Sequence, residues 1–204
     1  IPGVEIRIAD DGEILARGPN IMQGYYNRPD ATAAVLIDGW LHTGDIGRID
    51  SDGYLSITDR KKDIIVTSGG KNIAPQPIQM RLKSSPLVSD AIIIGDRRKF
   101  AAALIVPDFV AIDATLREHG APSGTREQLA VRADVHALFQ RVLDQINLEL
   151  AQFEKIKRFA LLPSEMTIEG GELTPTLKLR RSVVEERWAA VIEQLYATRE
   201  PVAS

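Results

Sequence analysis

The sequence predicts an α+β protein in two parts: a β-rich piece over residues 1–61, then a domain over 62–204 with a mixed sheet flanked by helices. Three observations lead there. The first sixty residues alternate apolar and polar around Gly-containing turns, the pattern of half-buried antiparallel strands. Two continuous apolar runs, "VSDAIIIGD" and "AAALIVP", read as strands covered on both faces. From Asp134 to Leu150, Val135, Leu138, Phe139, Val142 and Ile146 recur at three and four, one face of a helix.

In order, "VEIRI" (Val4 to Ile8) and "EILARG" flank Asp11-Gly12, a strong hairpin signal, and "IGRID" and "YLSIT" flank Ser51-Asp52-Gly53 as a second hairpin. The stretch between, "GPNIMQGYYNRPDATAAVL", reads as loop, because Gly18-Pro19 and Arg28-Pro29 are breakers. "DIIV" (Asp63 to Val66) reads as a short strand, "TSGGKN" as a Gly-rich turn and Pro75 to Ser84 as a helix. After the two buried strands, Asp108 to His119 reads as a helix stopped by Gly120. Ala121 to Thr125 is a linker, and Thr125-Arg126-Glu127-Gln128 has the form of a capping box. "RFALLP" (Arg158 to Pro163) is a further strand, and Arg180 to Tyr196 a final helix.

Composition narrows the function. Aromatic residues make up 5% of the 204 and the net charge is −3, which speaks against a base-stacking platform and against a cationic field for nucleic acid. The absence of cysteine excludes a thiol nucleophile, a disulfide framework and thiolate-bound zinc in this sequence. No apolar run approaches the roughly 20 residues that span a bilayer. The start at Ile1-Pro2-Gly3, without methionine, reads as entry into the middle of a larger protein.

Some residues stand in settings that ask for a role. Lys178 lies in "LTPTLKLRR" (Leu173 to Arg181), between leucines and after Pro175, where an aimed ammonium competes with the outward residue of an edge strand or the start of the last helix. Asp45 follows a Thr-Gly pair, as a carboxylate held at a strand end or as a turn cap. Arg60 has neighbours Asp59 and Asp63 as ordinary ion-pair partners, and Ser68, Gly69 and Gly70 form a bare tight turn.

"GEILARGPNIMQGYYNRPDAT" (Gly12 to Thr32), "GWLHTGDIG" (Gly39 to Gly47), "TDRKKDIIVTSGGKNIAP" (Thr58 to Pro75) and "LTPTLKLRR" occur in the order of the late motifs of the acyl-adenylate-forming ligases. The chain resembles the C-terminal region of the long-chain fatty-acyl-CoA synthetases among them, over essentially its whole length. The resemblance implies that 1–61 ends a larger N-terminal AMP-binding domain and that 62–204 is a small mobile domain. It assigns Asp45 and Arg60 to the nucleotide, Lys62 to a hinge, and Ser68, Gly69 and Gly70 to coenzyme A. Lys178 takes the role of the lysine that meets the α-phosphate and acyl carboxylate. His42 receives no catalytic role. Leu177 departs from the superfamily, in which many members carry Gly before the Lys; "LTPTLK" is what the long-chain branch shows.

The implied substrates are a long-chain fatty acid, ATP with Mg2+, and coenzyme A. The implied partner is the N-terminal domain of the same chain, which keeps the phosphate loop, the acyl pocket and the glutamate for magnesium. No protein metal site is expected here, and the piece alone should make no acyl-CoA. The implied setting is cytoplasmic, with peripheral membrane contact left open. Two rivals stand: a fatty-acyl-AMP ligase that hands the acyl group to a carrier protein, and a non-catalytic nucleotide-binding module.

Overall fold

A computed structural model describes residues 2–197, which form two compact units divided between Ile64 and Ile65. In the first unit, β1 (Glu5–Ile8) and β2 (Glu13–Arg17) make the first hairpin, with Ile6 opposite Ala16. The turn is closed by Gly12 N–H donating to Ala9 O at 2.9 Å. β4 (Trp40–Ile49) and β5 (Leu55–Arg60) make the second, and β4 pairs β2 on its other edge. The short β3 (Leu36–Ile37) also pairs β4, completing a five-stranded antiparallel sheet.

The stretch read as loop contains a helix, α1 (Pro29–Val35). The proline taken as a breaker stands at the start, where its fixed φ and missing N–H suit the first turn. Thr32 secures that turn: its Oγ1 donates to Arg28 O and accepts from Tyr25 N–H, both at 2.9 Å.

The second unit begins with a two-stranded ribbon, β6 (Ile65–Val66) and β7 (Asn72–Ile73), so the strand expected over 63–66 is two residues long. Lys61–Asp63 before it form a single 3₁₀ turn. Its main sheet is mixed, as the sequence predicts. β8 (Val88–Ile94) lies antiparallel to β9 (Ala101–Pro107), and β10 (Ile156–Leu161) lies parallel to β9 on the other side.

The two apolar runs are explained by cover on both faces. Ala91, Ile93, Ala103 and Ile105 face α2 (Pro75–Lys83), α3 (Phe109–Glu118), α4 (Arg126–Val131) and α5 (Ala133–Leu148), meeting Ile78, Ile112, Leu129 and Phe139. Ile92, Ile94, Leu104 and Val106 point the other way, onto Leu162, Met166, Val184 and Ile192. Asp108 caps α3 by accepting from Val110 and Ala111 N–H at 3.0 Å, and Thr125 and Gln128 form the expected capping box.

The final helix is two: α6 (Arg181–Arg187) and α7 (Ala189–Ala197) meet at Trp188, which leaves helical geometry at φ −102° and ψ 17°. The ladder nearly survives, since Trp188 N–H donates to Val184 O and Ile192 N–H to Trp188 O. Both sides of the break therefore keep an apolar residue, Val184 and Ile192, in the same core. No helix among the described residues is long and apolar enough to cross a membrane.

Candidate functional site

Each unit carries part of the predicted set. In the first, Asp45 on β4 stands directly across from Arg60 on β5, and the two form an ion pair with Arg60 Nε 2.8 Å from Asp45 Oδ1. The strand pairing brings together the two residues the resemblance assigns to the nucleotide. The Asp45 side chain is 24% exposed and that of Arg60 56%, so both present polar edges to an incoming group.

The turn before Asp45 is held from several sides. Gly44 has φ +72°, a left-handed conformation that glycine adopts without strain. Thr43 Oγ1 donates to Ile14 O at 2.7 Å and accepts the Asp45 N–H at 3.1 Å. Gly44 N–H donates to Glu13 Oε1 at 2.9 Å.

Sequence reasoning missed Glu13, which is 3% exposed. Its Oε2 accepts from Lys61 Nζ at 2.9 Å and lies 3.0 Å from His42 Nδ1. Lys61 also meets Asp11 Oδ2 at 2.7 Å. Burial pushes the Glu13 carboxyl up, but the bonds from Lys61, His42 and the Gly44 N–H outweigh it and hold it below the usual carboxylate range. Hydrogen bonds to Asp11 and Glu13 in turn raise the Lys61 ammonium. Glu13, Tyr25, His42, Thr43, Gly44 and Lys61 line a cavity of about 650 Å3. Glu13 could not be singled out in advance because its partners are 29 to 48 residues away in sequence. The one signal was a Glu at the head of a strand, directly before the apolar Ile14, Leu15 and Ala16.

Lys62 lies exposed in the 3₁₀ turn that ends the first unit, where Ile64 N–H reaches back to Lys61 O at 3.4 Å. In the second unit, Ser68, Gly69 and Gly70 form the exposed tip of the β6–β7 ribbon. Gly70 N–H donates to Thr67 O at 2.9 Å, and a φ of +73° at Gly70 makes glycine the natural occupant. The buried Thr67 latches the tip, its Oγ1 accepting from Lys71 N–H at 3.1 Å.

The segment around Lys178 is a closed turn rather than an edge strand or the start of a helix. A bridge between Leu173 and Leu179 joins its arms. Thr174 brackets the lysine: its N–H donates to Lys178 O at 2.8 Å and its Oγ1 accepts the Lys178 N–H at 3.0 Å. Leu177 takes φ +58°. A leucine thus holds the left-handed conformation that glycine would adopt freely, at a cost of about 1–2 kcal/mol.

Below the turn, Arg180 N–H donates to Glu172 O at 2.7 Å, and the buried Glu172 carboxylate pairs with Arg187. Arg181 Nη1 reaches Ile93 O at 2.5 Å, tying the base to β8. The Lys178 side chain itself is exposed and has no ion-pair partner among the described residues. A fixed backbone therefore carries a free ammonium. No group of three or more His, Cys, Asp or Glu able to hold a metal ion occurs among the described residues.

Residues 62–200 match the family described as AMP-binding enzyme C-terminal domain. Over 197 residues the chain is 43% identical to the long-chain-fatty-acid–CoA ligase FadD15 of Mycobacterium tuberculosis, covering 96% of this chain and 33% of that protein. It is 34% identical over 220 residues to the long-chain-fatty-acid–CoA ligase ACSBG1 of Homo sapiens, covering 96% and 30%. The chain thus spans about a third of the length of these curated relatives. Among solved structures it resembles the A domain of carboxylic acid reductase from Segniliparus rugosus in complex with AMP and a co-purified carboxylic acid. That likeness has a TM-score of 0.71 at 28% identity, covering 91% of this chain and 28% of that one. O-succinylbenzoate coenzyme A synthetase from Bacillus subtilis in complex with AMP matches with a TM-score of 0.61 at 29% identity, covering 89% and 33%.

Proposed function

The chain belongs to the AMP-binding enzyme C-terminal domain family, and from that premise we propose that it serves an ATP-dependent ligase joining a long-chain fatty acid to coenzyme A. In the first step a carboxylate oxygen attacks the α-phosphorus of ATP, the bond to the β-phosphate oxygen breaks, and pyrophosphate leaves. In the second the thiol sulfur attacks the acyl carbon, loses its proton and expels AMP. Magnesium accompanies the triphosphate, and its protein ligands lie outside the described residues. The names of the relatives favour coenzyme A over a carrier protein as acceptor.

The observation that carries this reading is the fixed turn presenting the unpaired Lys178 ammonium. Negative charge gathers around the phosphorus as adenylate forms, and an ammonium preorganised there stabilises that charge without reorganising at the moment of reaction. Asp45 accepts from the vicinal ribose hydroxyls, and the Arg60 guanidinium supplies several donors beside it. Ser68, Gly69 and Gly70 form an exposed tip with almost no side-chain bulk, which suits close backbone approach to the pantetheine arm.

Lys62 is the hinge at which the small domain turns between the two steps. A hinge needs a few residues that absorb φ/ψ change and does not demand glycine. Proline at 62 fixes φ there and disfavours the helical conformation of Lys61 in the 3₁₀ turn. In the full-length enzyme, Lys62→Pro is expected to slow the thioester step about tenfold more than adenylation. The check is to time the two half-reactions separately, one from ATP and fatty acid and the other from pre-formed acyl-adenylate and coenzyme A. Equal losses would remove the hinge from this position.

A further inference from the structure

Glu13 holds two things at once. Through Oε1 it fixes the Gly44 N–H, one residue before Asp45, and through Oε2 it fixes Lys61, one residue before Lys62. Burying a carboxylate is unfavourable unless its oxygens are paired and hydrogen-bonded, and here both oxygens are engaged. The partners are consequently held jointly, because displacing one leaves a buried charge short of a donor. Lys61 is clamped further by Asp11 at 2.7 Å, so its side chain spans two carboxylates.

We propose that Glu13 is a positioning residue that ties the nucleotide-binding turn at Asp45 to the anchored end of the hinge at Lys61. The inference rests on the reading of Asp45 and Lys62 given above. Its physical content has two parts. The Glu13–Gly44 bond keeps the Asp45 carboxylate aimed at the ribose, and the Glu13–Lys61 pair makes Lys62 the first residue free to rotate. Without the clamp, rotation spreads back into residue 61, and the arrangement that receives coenzyme A is reached less reliably. Adenylate then escapes before it is consumed.

The test uses the full-length enzyme and two readouts: the KM for ATP in pyrophosphate exchange, and the ratio of free acyl-AMP released to acyl-CoA formed. A merely structural role would lower stability without moving that product ratio. Glu13→Gln keeps the shape and removes the charge; it is expected to raise the ATP KM about tenfold and the acyl-AMP ratio about fivefold. Lys61→Met is expected to raise the ratio by a similar factor and the ATP KM by less than Glu13→Gln does, since the Gly44 N–H keeps its acceptor, and Lys61→Arg to restore the ratio.

A Glu13→Gln enzyme altered in only one readout, or in neither, overturns the coupling, as does an unchanged ratio in Lys61→Met. If Glu13→Gln fails to fold, Lys61→Met decides by the ratio alone, since its side chain is 46% exposed. Asp45→Ala and Lys62→Pro run beside them separate the two levels. Normal behaviour in those controls sinks the underlying reading, whereas defects in them with a normal Glu13→Gln sink only the present inference.

Discussion

In the full-length enzyme Lys178→Ala is expected to slow adenylate formation by two to three decades, about 3 kcal/mol or more of transition-state stabilisation. The size follows from the setting. Among the described residues no carboxylate shares the ammonium, so its charge is available to a developing oxyanion. The turn that carries it is closed by the two bonds from Thr174 and the bridge between Leu173 and Leu179, so little ordering remains to be done at reaction. Removal of the side chain leaves those backbone bonds intact, and the variant should fold. Thioester formation from pre-formed acyl-adenylate should survive, since no pentavalent phosphorus forms in that step. Loss of both half-reactions in equal measure would make Lys178 a structural residue.

Asp45→Ala is expected to raise the ATP KM. Each ribose hydroxyl loses a charged acceptor worth about 1.5–3 kcal/mol, so even one lost bond should cost roughly one to two decades. A second effect adds to the first. Arg60 Nε pairs with Asp45 at 2.8 Å, and without that carboxylate the guanidinium loses the ion-pair partner beside it. Asp45→Asn separates the contributions. It keeps an acceptor oxygen and the strand geometry while removing the charge, and should fall between wild type and alanine. Pyrophosphate exchange at varied ATP measures all three, and an unchanged KM in Asp45→Ala would refute the ribose assignment.

The parts of the fold that were legible in the sequence are those set by neighbouring residues. The Asp11-Gly12 turn, the capping box at Thr125 and the alternating cover on β8 and β9 are each written within a few positions. Misreadings arose where one residue type has two meanings. Pro29 reads as a breaker and instead begins α1, because a missing N–H costs nothing in a first turn. Trp188 sits within a helical apolar pattern yet divides α6 from α7, for the burial of Val184 and Ile192 is kept on both sides.

The site divides in the same way. Asp45, Arg60 and Lys178 stand in short motifs that can be quoted, and the register of the β4–β5 hairpin brings the first two face to face. Glu13 and Lys61 meet over a separation of 48, which no local pattern encodes. Thr174 could be seen in "LTPTLK", but its bonds to both sides of the Lys178 peptide depend on the left-handed backbone at Leu177. A β-branched or aliphatic residue gives no hint of that conformation.

The central claim is that this chain works in a ligase that activates a fatty acid through its adenylate and transfers it to coenzyme A. The most direct measurement incubates the full-length protein with ATP, Mg2+, palmitate and coenzyme A and follows palmitoyl-CoA, AMP and pyrophosphate together. The expected result is formation of all three in equal amounts, with palmitate-dependent pyrophosphate exchange persisting when coenzyme A is left out. Release of ADP and phosphate in place of AMP and pyrophosphate, or no thioester and no exchange, would contradict it.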